Sequence, residues 1–381
     1  MFHTYLTIAY LYVSARFVYP LPLSKSTRLM IAGLLLIIAK YHYWSLLIYG
    51  DMWSPELPYH AVLMLGWLFC AFVLLVVFVL ISDIALLVMM LMKRGIWFTK
   101  YNVQIRSASL LGALILGGVG VQEAIKVPAV RKLEIVIENL PADLEGFRVV
   151  QLSDLHISRL FPESWIQAVV ERTNALSSDL ILISGDLIDG YTDVRSQDVA
   201  PLAALKAAHG VIGIPGNHEY YFDYSAWEPV FERMGIRMLN NEHIRIHKGS
   251  AGLTIAGITD ESAPQYGFAG PDLTKALQDR VIKDPVILLS HRPQGARANA
   301  EAGVQLQLSG HTHGGMIFGL SQIVAYANEG FISRDYDINR MKLYVSNGTG
   351  LWMGFPIRLG VPSEITEFTL RSPNNKSLGE I

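Results

Sequence analysis

Five short polar segments, each placed after an apolar run, constrain the fold of this chain more than any other feature. The runs are short and rich in β-branched residues, which is typical of buried strands. In layered α/β domains, ligands bind beyond the carboxyl ends of such strands. We therefore predict that five strand ends converge at one site. The segments are Asp154-Leu155-His156, Gly185-Asp186-Leu187-Ile188-Asp189, Gly216-Asn217-His218-Glu219, His291 and Gly310-His311-Thr312-His313.

The side chains of these segments are of the kinds that hold divalent cations. Carboxylates, imidazoles and an amide oxygen suit two ions held about 3.5–4 Å apart. Each histidine taken alone is more often structural, so the prediction rests on the ordered set of segments. Asp186 is the candidate bridge between the ions and a candidate catalytic residue, because two bridged ions can activate one water as hydroxide. The candidate metal ligands are Asp154, His156, Asp186, Asn217, His291, His311 and His313.

Two further residues of the segments have predicted roles. His218 is the candidate catalytic histidine, which either protonates the leaving oxygen or binds the phosphoryl group. Asp189 is the candidate partner that orients a ligand histidine. If strand geometry continues past each strand end, Asp154 and His156 point the same way, as do residues two apart on any strand. His311 and His313 at the end of the last segment are also two residues apart.

Residues 127–371 are predicted to form an α/β domain, and residues 372–381 are predicted to form a frayed tail. Strands and amphipathic helices alternate there. The spacing of Ser225 and Glu228 predicts a capping box at the start of the third helix. The predicted strands are Leu133–Ile137, Phe147–Leu152, Leu180–Ser184, Val211–Ile214, Leu253–Ile258, Val286–Ser290, Val304–Leu308, Lys342–Ser346 and Ile365–Leu370. The predicted helices are Glu163–Ala175, Ser196–Ala207, Ala226–Met234 and Leu273–Asp279.

The first 126 residues predict a transmembrane helical region. A bilayer is crossed by about 20 apolar residues, and several runs approach or exceed that length. We predict four spans, with a signal peptide as the alternative for the first of them. The glycine-rich fourth span suits close helix packing in lipid. The predicted spans are Thr4–Tyr19, Leu29–Tyr49, Ala61–Met92 and Ala108–Ile125.

The distribution of charge predicts a cell-membrane protein whose catalytic domain is extracytoplasmic. Residues 1–126 hold nine Lys or Arg and four Asp or Glu, a formal charge of +5 in a chain of −2. The remainder is therefore acidic at −7, which disfavours nucleic acid as a partner. Cations between spans favour this orientation under the positive-inside rule, whereas three that follow the last span oppose it. The first group is Lys25, Arg28, Lys93, Arg94, Lys100 and Arg106, and the second is Lys126, Arg131 and Lys132.

The order of the polar segments resembles that of the calcineurin-like metallophosphoesterase superfamily. The runs Leu152–His156, Gly310–Gly315 and Leu343–Gly348 resemble its bacterial membrane-associated phosphodiesterase branch. The resemblance implies a four-layer α/β/β/α sandwich with two mixed sheets, with His218 as the catalytic histidine. It also implies one metal held by Asp154, His156, Asp186 and His313, and a second held by Asp186, Asn217, His291 and His311.

Two positions depart from the superfamily pattern. Gly190 stands where the protein Ser/Thr phosphatases carry a phosphate-binding arginine, so a phosphoprotein substrate is disfavoured. Glu219 stands where aspartate is commoner, which is a mild change. The ligands accept Mn, Fe or Zn, so they do not identify the two divalent metal ions.

The expected function is therefore hydrolysis of a phosphodiester or pyrophosphate bond in a lipid-linked or envelope substrate. A nucleotide-activated lipid precursor is one variant, and it favours a cytoplasmic catalytic face. One alternative is a metal-stabilised scaffold or sensor without turnover. Another is a transporter, for which Asp83, Lys40 and Glu123 are the candidate polar groups in the spans. Asp83 is otherwise interpreted as lying near a membrane interface. The aromatic-rich Tyr220–Trp227 and Leu351–Ile357 predict a lid, a lipid-facing wall or core packing.

Overall fold

A computed structural model describes residues 2–93, 95, 100–319 and 321–373, without the side chain of Ile323. Arg94, which entered the orientation argument, and residues 374–381 of the predicted tail lie outside the described residues. The chain divides into two compact units. One comprises Met1–Ala124 with Met353–Leu359, and the other comprises Ile125–Trp352 with Gly360–Ile381.

The first unit is helical. Its last two helices pack closely because Gly117 leaves no Cβ where the chains approach: an added Cβ would fall 3.2 Å from the backbone nitrogen of Ala71. Helix α2 begins where the side chain of Ser24 accepts a hydrogen bond from the backbone of Thr27. The helices are α1 (Phe2–Val13), a π-helical turn (Ser14–Val18), α2 (Lys25–Ala39), α3 (Tyr41–Tyr49), α4 (Tyr59–Leu91) and α5 (Asn102–Ala124).

Two of these helices, α4 and α5, are long and apolar enough to cross a membrane. Helices α2 and α3 form a pair bent by 59° that qualifies as a third candidate span. Helix α1 has 12 residues before the π-helical turn, which is short of the roughly 20 residues that a span needs. The N-terminal multi-span helical region is thus supported, and the predicted count of four remains a prediction.

The segment Met353–Leu359 is part of the helical unit although it lies far along the chain. The hydroxyl of Tyr41 donates to the carbonyl of Met353 over 3.2 Å, and Nε2 of His42 lies 2.8 Å from the carbonyl of Gly354. Met353 and Ile357 are buried. Tight packing between the end of Leu351–Ile357 and the helices favours the packing interpretation of this stretch over a lid.

The second unit contains two mixed six-stranded sheets. The first has the order β1-β12-β2-β3-β4-β5 and the second has the order β10-β11-β9-β8-β7-β6. Strands β2 to β5 run parallel in the first sheet, and β7, β8, β9 and β11 run parallel in the second. The strands are β1 (Ala129–Val136), β2 (Arg148–Leu152), β3 (Leu180–Ile183), β4 (Val211–Gly213), β5 (Ile236–Met238), β6 (Glu242–Lys248), β7 (Ala251–Gly257), β8 (Val286–Leu289), β9 (Leu306–Ser309), β10 (Arg334–Ile338), β11 (Met341–Val345) and β12 (Glu364–Arg371).

Helices cover the outer faces of both sheets, so the predicted four-layer α/β/β/α sandwich is confirmed. One apolar cluster joins the inner faces, and it includes Val149 and Leu182 from the first sheet with Leu253 and Leu308 from the second. A second cluster packs helices on the outer face of the second sheet. The helices are α6 (Glu163–Asn174), α7 (Thr192–Val199), α8 (Asn217–Tyr221), α9 (Tyr224–Arg233), α10 (Leu273–Ala276), α11 (Ala296–Glu301) and α12 (Ser321–Ala327).

Three local predictions were wrong. The second predicted helix, Ser196–Ala207, begins four residues earlier and gives way at Ala200 to a 3₁₀ turn, where Pro201 cannot donate a backbone hydrogen bond. The cap of α9 is Asp223, which accepts from Ala226 over 3.3 Å, and not the predicted box at Ser225. The predicted helix Leu273–Asp279 ends at Ala276.

Candidate metal centre

Each of the five predicted segments follows a strand end. Strands β2, β3 and β4 of the first sheet end before the first three segments, and β8 and β9 of the second sheet end before the last two. The candidate ligands are buried except for His311, which is half-buried. The two sheets therefore deliver their polar loops to one place. The seven candidate ligands fall into two overlapping groups.

The first group comprises Asp154, His156 and His313, whose ligand atoms lie within 4.8 Å of one another. Nε2 of His313 lies 3.7 Å from Oδ1 of Asp154. Nε2 of His156 lies 3.6 Å from Oδ2 of Asp186, which draws a fourth ligand to the group. These contacts are longer than hydrogen bonds, and a cation coordinated by all four groups would account for them.

The second group comprises Asp186, His291 and His311, again within 4.8 Å. Nε2 of His291 lies 3.1 Å from Oδ2 of Asp186 and 3.2 Å from Oδ1 of Asn217. The same carboxylate oxygen, Oδ2 of Asp186, therefore faces His156 on one side and His291 on the other. That is the position that a carboxylate bridging two cations requires.

The backbone of the ligand loops differs from the predicted strand continuation. Asp154, His156, His311 and His313 have φ of 52°, 45°, 68° and 48°, and Asp186 has 54°. These residues occupy the left-handed region, which costs on the order of 1 kcal/mol or more for a residue with a Cβ. Convergence of side chains two apart therefore comes from left-handed turns and not from an extended strand. The predicted geometric reason was wrong.

Backbone hydrogen bonds between two loops accompany the left-handed conformations of Asp154, His156 and Asp186. The amides of Asp154 and His156 donate to the carbonyls of Gly185 and Asp186, each over 3.0 Å. Beyond the strands, the first two segments thus remain paired as if the parallel sheet continued. The left-handed backbone at Asp186 coincides with this pairing, so neighbouring loops and not local sequence hold the strained residues.

Further hydrogen bonds leave the ligand atoms directed into the site. Oδ1 of Asp186 accepts from the amide of His218 over 2.9 Å, and Oδ1 of Asp154 accepts from the amide of His311 over 2.9 Å. Nδ1 of His291 lies 2.8 Å from the carbonyl of Ser184. An Nδ1–H that donates to a carbonyl leaves Nε2 as the lone pair for a cation.

Asp189 connects two histidines through one oxygen. Its Oδ1 lies 2.9 Å from Nδ1 of His156 and 2.6 Å from Nδ1 of His218. Burial raises the pKa of Asp189, but the two histidines outweigh burial and hold that pKa well below its usual range. Burial lowers the pKa of His218, but the carboxylates of Asp189 and Asp186 outweigh burial and raise that pKa to about 9. Within the protein's own charges, His218 therefore carries a proton at neutral pH.

Glu219 has a larger structural role than its sequence position indicated. Its carboxylate accepts from the amides of Gly216 over 2.7 Å, Asp186 over 3.0 Å, Leu187 over 2.6 Å and Ile188 over 3.3 Å. It is fully buried. A single carboxylate thus joins the loop after β3 to the loop after β4 and fixes two ligand segments to each other.

The sequence analysis missed Arg292, the residue after His291. Its Nε lies 2.8 Å from Oδ2 of Asp260 and its Nη2 lies 3.2 Å from Oδ1, a two-pronged pair. The side chain retains 22% exposure, and both residues line a cavity of about 210 Å³ together with His291. No motif signals this arginine, because its partner lies 32 residues away in a different loop.

These residues fit divalent cations. Nε2 of His156 is buried and has no hydrogen-bond partner among the described residues, although its ring is fixed through Nδ1. A buried nitrogen with a free lone pair is costly unless an ion or a proton donor meets it. Asp189, His156 and His218 form a third cluster of possible metal ligands. The hydrogen bonds of Asp189 to both histidines account for this cluster without an ion. A two-sheet α/β sandwich with this set of nitrogen and oxygen donors at its strand ends is typical of metal-dependent hydrolases.

Comparison with known proteins identifies the family. The profile described as calcineurin-like phosphoesterase matches residues 147–315. A metallophosphoesterase of Bacillus subtilis, YkuE, is 31% identical over 69% of this chain and 93% of its own length. The chain belongs to the calcineurin-like phosphoesterase family, and it is a metal-dependent phosphoric ester hydrolase.

Two further relatives are also similar to this chain. A metallophosphoesterase of Helicobacter pylori is 32% identical over 67% of both chains. A transmembrane protein with metallophosphoesterase domain from Danio rerio is 34% identical over 69% of this chain and 62% of that protein. The match thus spans about two thirds or less of these relatives' lengths. With the apolar helices, the second relative supports membrane association.

Proposed function

We propose that the centre holds two divalent cations that share Asp186. In this proposal, Asp154, His156 and His313 complete one site, and Asn217, His291 and His311 complete the other. The observation that carries it is that Oδ2 of Asp186 lies 3.6 Å from Nε2 of His156 and 3.1 Å from Nε2 of His291. Mn, Fe or Zn suits these mixed ligands.

The proposed reaction is hydrolysis at phosphorus. When bound, the cations supply an activated water and neutralise charge on the phosphoryl oxygens. His218 is placed to act as the acid that protonates the leaving oxygen, since the carboxylates of Asp189 and Asp186 outweigh burial and raise its pKa, and Asp189 orients its ring. Its side chain is 11% exposed, which leaves an edge within reach of a substrate.

Arg292 is the proposed phosphate-positioning group. Gly190 provides no side chain at the position that carries the arginine in Ser/Thr phosphatases, so the positive charge must come from another element. Arg292 adjoins His291 on the loop after β8, and Asp260 holds its guanidinium through Nε and Nη2. Nη1 has no hydrogen-bond partner among the described residues and suits an anionic oxygen.

The proposed substrate is a phosphodiester or pyrophosphate, lipid-linked or part of the cell envelope. The support is the helical unit, which contains two or three apolar helices of membrane-spanning length. The charge distribution favours an extracytoplasmic catalytic domain. The same helices would serve equally to tether a domain acting on a soluble substrate, so the assay must include both classes.

The test uses the full chain, because Met353–Leu359 of the second half is packed in the helical unit. Detergent-purified protein is stripped of metal and titrated with Mn²⁺. Hydrolysis of bis-p-nitrophenyl phosphate and of p-nitrophenyl phosphate is then measured side by side. The variants are Asp186→Asn and, as the matched control, Asp193→Asn at an exposed position of α7.

The proposal predicts that the wild-type protein binds two equivalents of Mn²⁺ and hydrolyses the diester only when Mn²⁺ is present. This activity should be lost in Asp186→Asn and should persist in Asp193→Asn. Preference for the monoester would agree with a metal-dependent enzyme but would contradict the proposed diester substrate. Binding of one equivalent by active wild-type protein would refute the dinuclear assignment. A topology assay, with a cysteine-reactive label at Asp193→Cys in intact cells and a Cys70→Ser background, tests the extracytoplasmic face.

A further inference from the structure

A partly exposed charged network joins separate segments of the helical unit, far from the metal ligands in sequence. The carboxylate of Asp83 in α4 accepts from Nε of Arg16 over 2.8 Å and from Nη2 over 2.9 Å. The hydroxyl of Tyr12 donates to the same carboxylate over 2.8 Å. Asp83 is therefore neutralised, which weakens its candidacy as a transport residue. One fully paired acid does not explain the second arginine beside it.

That second arginine, Arg106 of α5, binds the backbone of the π-helical turn. Its Nη1 donates to the carbonyls of Arg16 and Phe17, the latter over 3.1 Å. The amide of Tyr19 reaches back five residues to the carbonyl of Ser14 over 2.9 Å. A π-helical turn of this kind frequently marks a functional position in a helix. Here it carries Arg16 and Phe17 into contact with α5.

The two guanidinium groups line one polar cavity of about 180 Å³. Arg16 and Arg106 face a single acid, Asp83, so the lining has one net positive charge. Nη1 of Arg16 and Nη2 of Arg106 have no hydrogen-bond partner among the residues that the structure describes. Ser82, Asn102 and Ser109 add hydroxyl and amide groups to the lining. The hydroxyls of Ser82 and Ser109 donate to carbonyls of their own helices, so the two guanidinium groups supply the free hydrogen-bond donors and one uncompensated positive charge.

An apolar cavity of about 370 Å³ shares one lining residue, Phe17, with the polar cavity. Its lining comes from α2, α4 and α5 and is almost entirely aliphatic or aromatic. The residues include Leu35, Ile38, Leu75, Leu110 and Leu114. A cationic polar cavity and an apolar cavity that meet at one side chain match a molecule with an anionic head and a hydrocarbon tail.

The position along the helices agrees with a lipid headgroup. Asp83 lies eight residues beyond Leu75, the middle of α4, or about 12 Å at 1.5 Å per residue. Arg106 lies near the start of α5, on the same side of the α4–α5 hairpin. The hydrocarbon core extends about 15 Å from its centre. The polar cavity therefore falls close to the level where phosphate groups of one leaflet begin.

We propose that this pair of cavities is a binding site for an anionic phospholipid of the bilayer. The phosphodiester headgroup would bind Nη1 of Arg16 and Nη2 of Arg106, and one acyl chain would occupy the apolar cavity beyond Phe17. A headgroup without a cationic group fits best, since the cavity already has a positive charge. Basic pockets between membrane helices are a known way to select such lipids.

The experiment uses the full chain in detergent, freed of lipid, and counts retained lipids by native mass spectrometry. The probes are phosphatidylglycerol, phosphatidylcholine with the same acyl chains, and inorganic phosphate. Arg106→Gln removes a positive charge that would bind the headgroup, and Leu35→Trp fills the apolar cavity. Lys93→Gln is the matched control, because Lys93 is an exposed cation at the same end of the hairpin and does not line either cavity.

We expect one phosphatidylglycerol to be retained in preference to phosphatidylcholine, with affinity lowered about fivefold in Arg106→Gln. Leu35→Trp should reduce retention, and Lys93→Gln should not. Equal retention of both lipids, or equal loss in Lys93→Gln, would overturn the proposal in favour of general attraction to the surface. If inorganic phosphate fully displaces phosphatidylglycerol, the polar cavity is a site for a free anion and the lipid proposal is wrong. If Arg106→Gln is not monodisperse, Leu35→Trp alone decides.

Discussion

Nδ1 of His218 lies 2.6 Å from Oδ1 of Asp189, and Nδ1 of His156 lies 2.9 Å from that same oxygen. One carboxylate therefore sets the tautomer of a proposed metal ligand and also orients the ring of the proposed acid. His156 must turn Nε2 toward the cations, and His218 must turn its Nε2 toward the substrate. The placement of both histidines depends on a negatively charged acceptor between them.

Replacing Asp189 by asparagine should separate orientation from ligation. Both Nδ1–H groups bind the same oxygen, so an amide oxygen in its place would still face both of them but would lack the negative charge that holds them. We expect the Asp189→Asn variant to lose about 10- to 100-fold in activity or metal affinity, the usual cost of removing such a partner. Mn²⁺ titration followed by diester assay at saturating metal distinguishes the two losses. Wild-type affinity and activity in this variant would contradict the orienting role.

Glu219 should contribute mainly to stability. It accepts four backbone hydrogen bonds from two ligand loops, and its removal would leave buried amides without acceptors. We expect Glu219→Ala to lower the free energy of unfolding by about 3 kcal/mol or more, since each unsatisfied buried group costs about 1–3 kcal/mol. Thermal unfolding of the full chain measures this, with Glu232→Ala on the exposed face of α9 as control.

If Glu219→Ala lowers the free energy of unfolding no more than the Glu232→Ala control does, water must replace the carboxylate as the acceptor of the four amides. Glu219→Gln is a milder test, because its amide oxygen can retain some of the four acceptor contacts. We expect its loss to be intermediate. The order Ala, Gln, wild type in melting temperature is the result that follows from the geometry.

Much of the fold was accessible from the sequence because its strands are short, apolar and bounded by turn residues. Residues such as Leu180–Ile183 are buried on every face, so their composition alone indicates a strand. The ligand segments could be located for the same reason, since each begins where an apolar run ends. Their order along the chain then matched a known family. These features are local, and local sequence carries them.

The missing parts depend on contacts between distant residues. The left-handed backbone at Asp154 and His156 comes from pairing with the loop after β3, which no property of the first loop announces. The roles of Glu219 and Arg292 are set by partners in other loops. The place of Met353–Leu359 in the helical unit is equally non-local. Prediction from one sequence had no means of recovering these relationships.

Gly216 should be intolerant of any side chain. Its φ of −94° suits every residue, yet an added Cβ would fall 2.2 Å from Oδ1 of Asp186. Alanine would therefore displace the proposed bridging carboxylate without straining its own backbone. We expect Gly216→Ala to bind fewer than two metal equivalents and to lose most diester activity.

The matched control for this substitution is Gly235→Ala. Gly235 has a φ of 81° and open space where a Cβ would lie, so its substitution adds backbone strain of about 1 kcal/mol and no clash. It should lower the melting temperature slightly and leave metal stoichiometry at two. Equal effects of the two variants on metal binding would contradict the steric explanation.

Removing the proposed metals should destabilise the second unit, which carries the candidate ligands. Asp154, Asp186, Asp189 and Glu219 bring four buried carboxyl groups close together, and cations offset their repulsion. A ligand that binds only the folded state, at about 1,000 times its dissociation constant, stabilises that state by about 4 kcal/mol. We expect a chelator to lower the melting temperature and excess Mn²⁺ to restore it. Asp186→Asn should show a smaller difference between the two conditions.

Arg292 should act on the substrate and not on the metals. Its guanidinium is held by Asp260, and Nη1 remains to bind a phosphoryl oxygen. Removing a charge-assisted hydrogen bond worth about 1.5–3 kcal/mol lowers kcat/KM by about 10- to 100-fold. We expect this loss in Arg292→Gln, with two metals still bound.

Arg292→Lys should recover little, because lysine cannot pair with Asp260 and phosphate in the same planar geometry. Arg237→Gln, at a 56% exposed surface pair, should leave kcat/KM unchanged. Loss of bound metal in Arg292→Gln would instead show that this arginine supports the loop carrying His291.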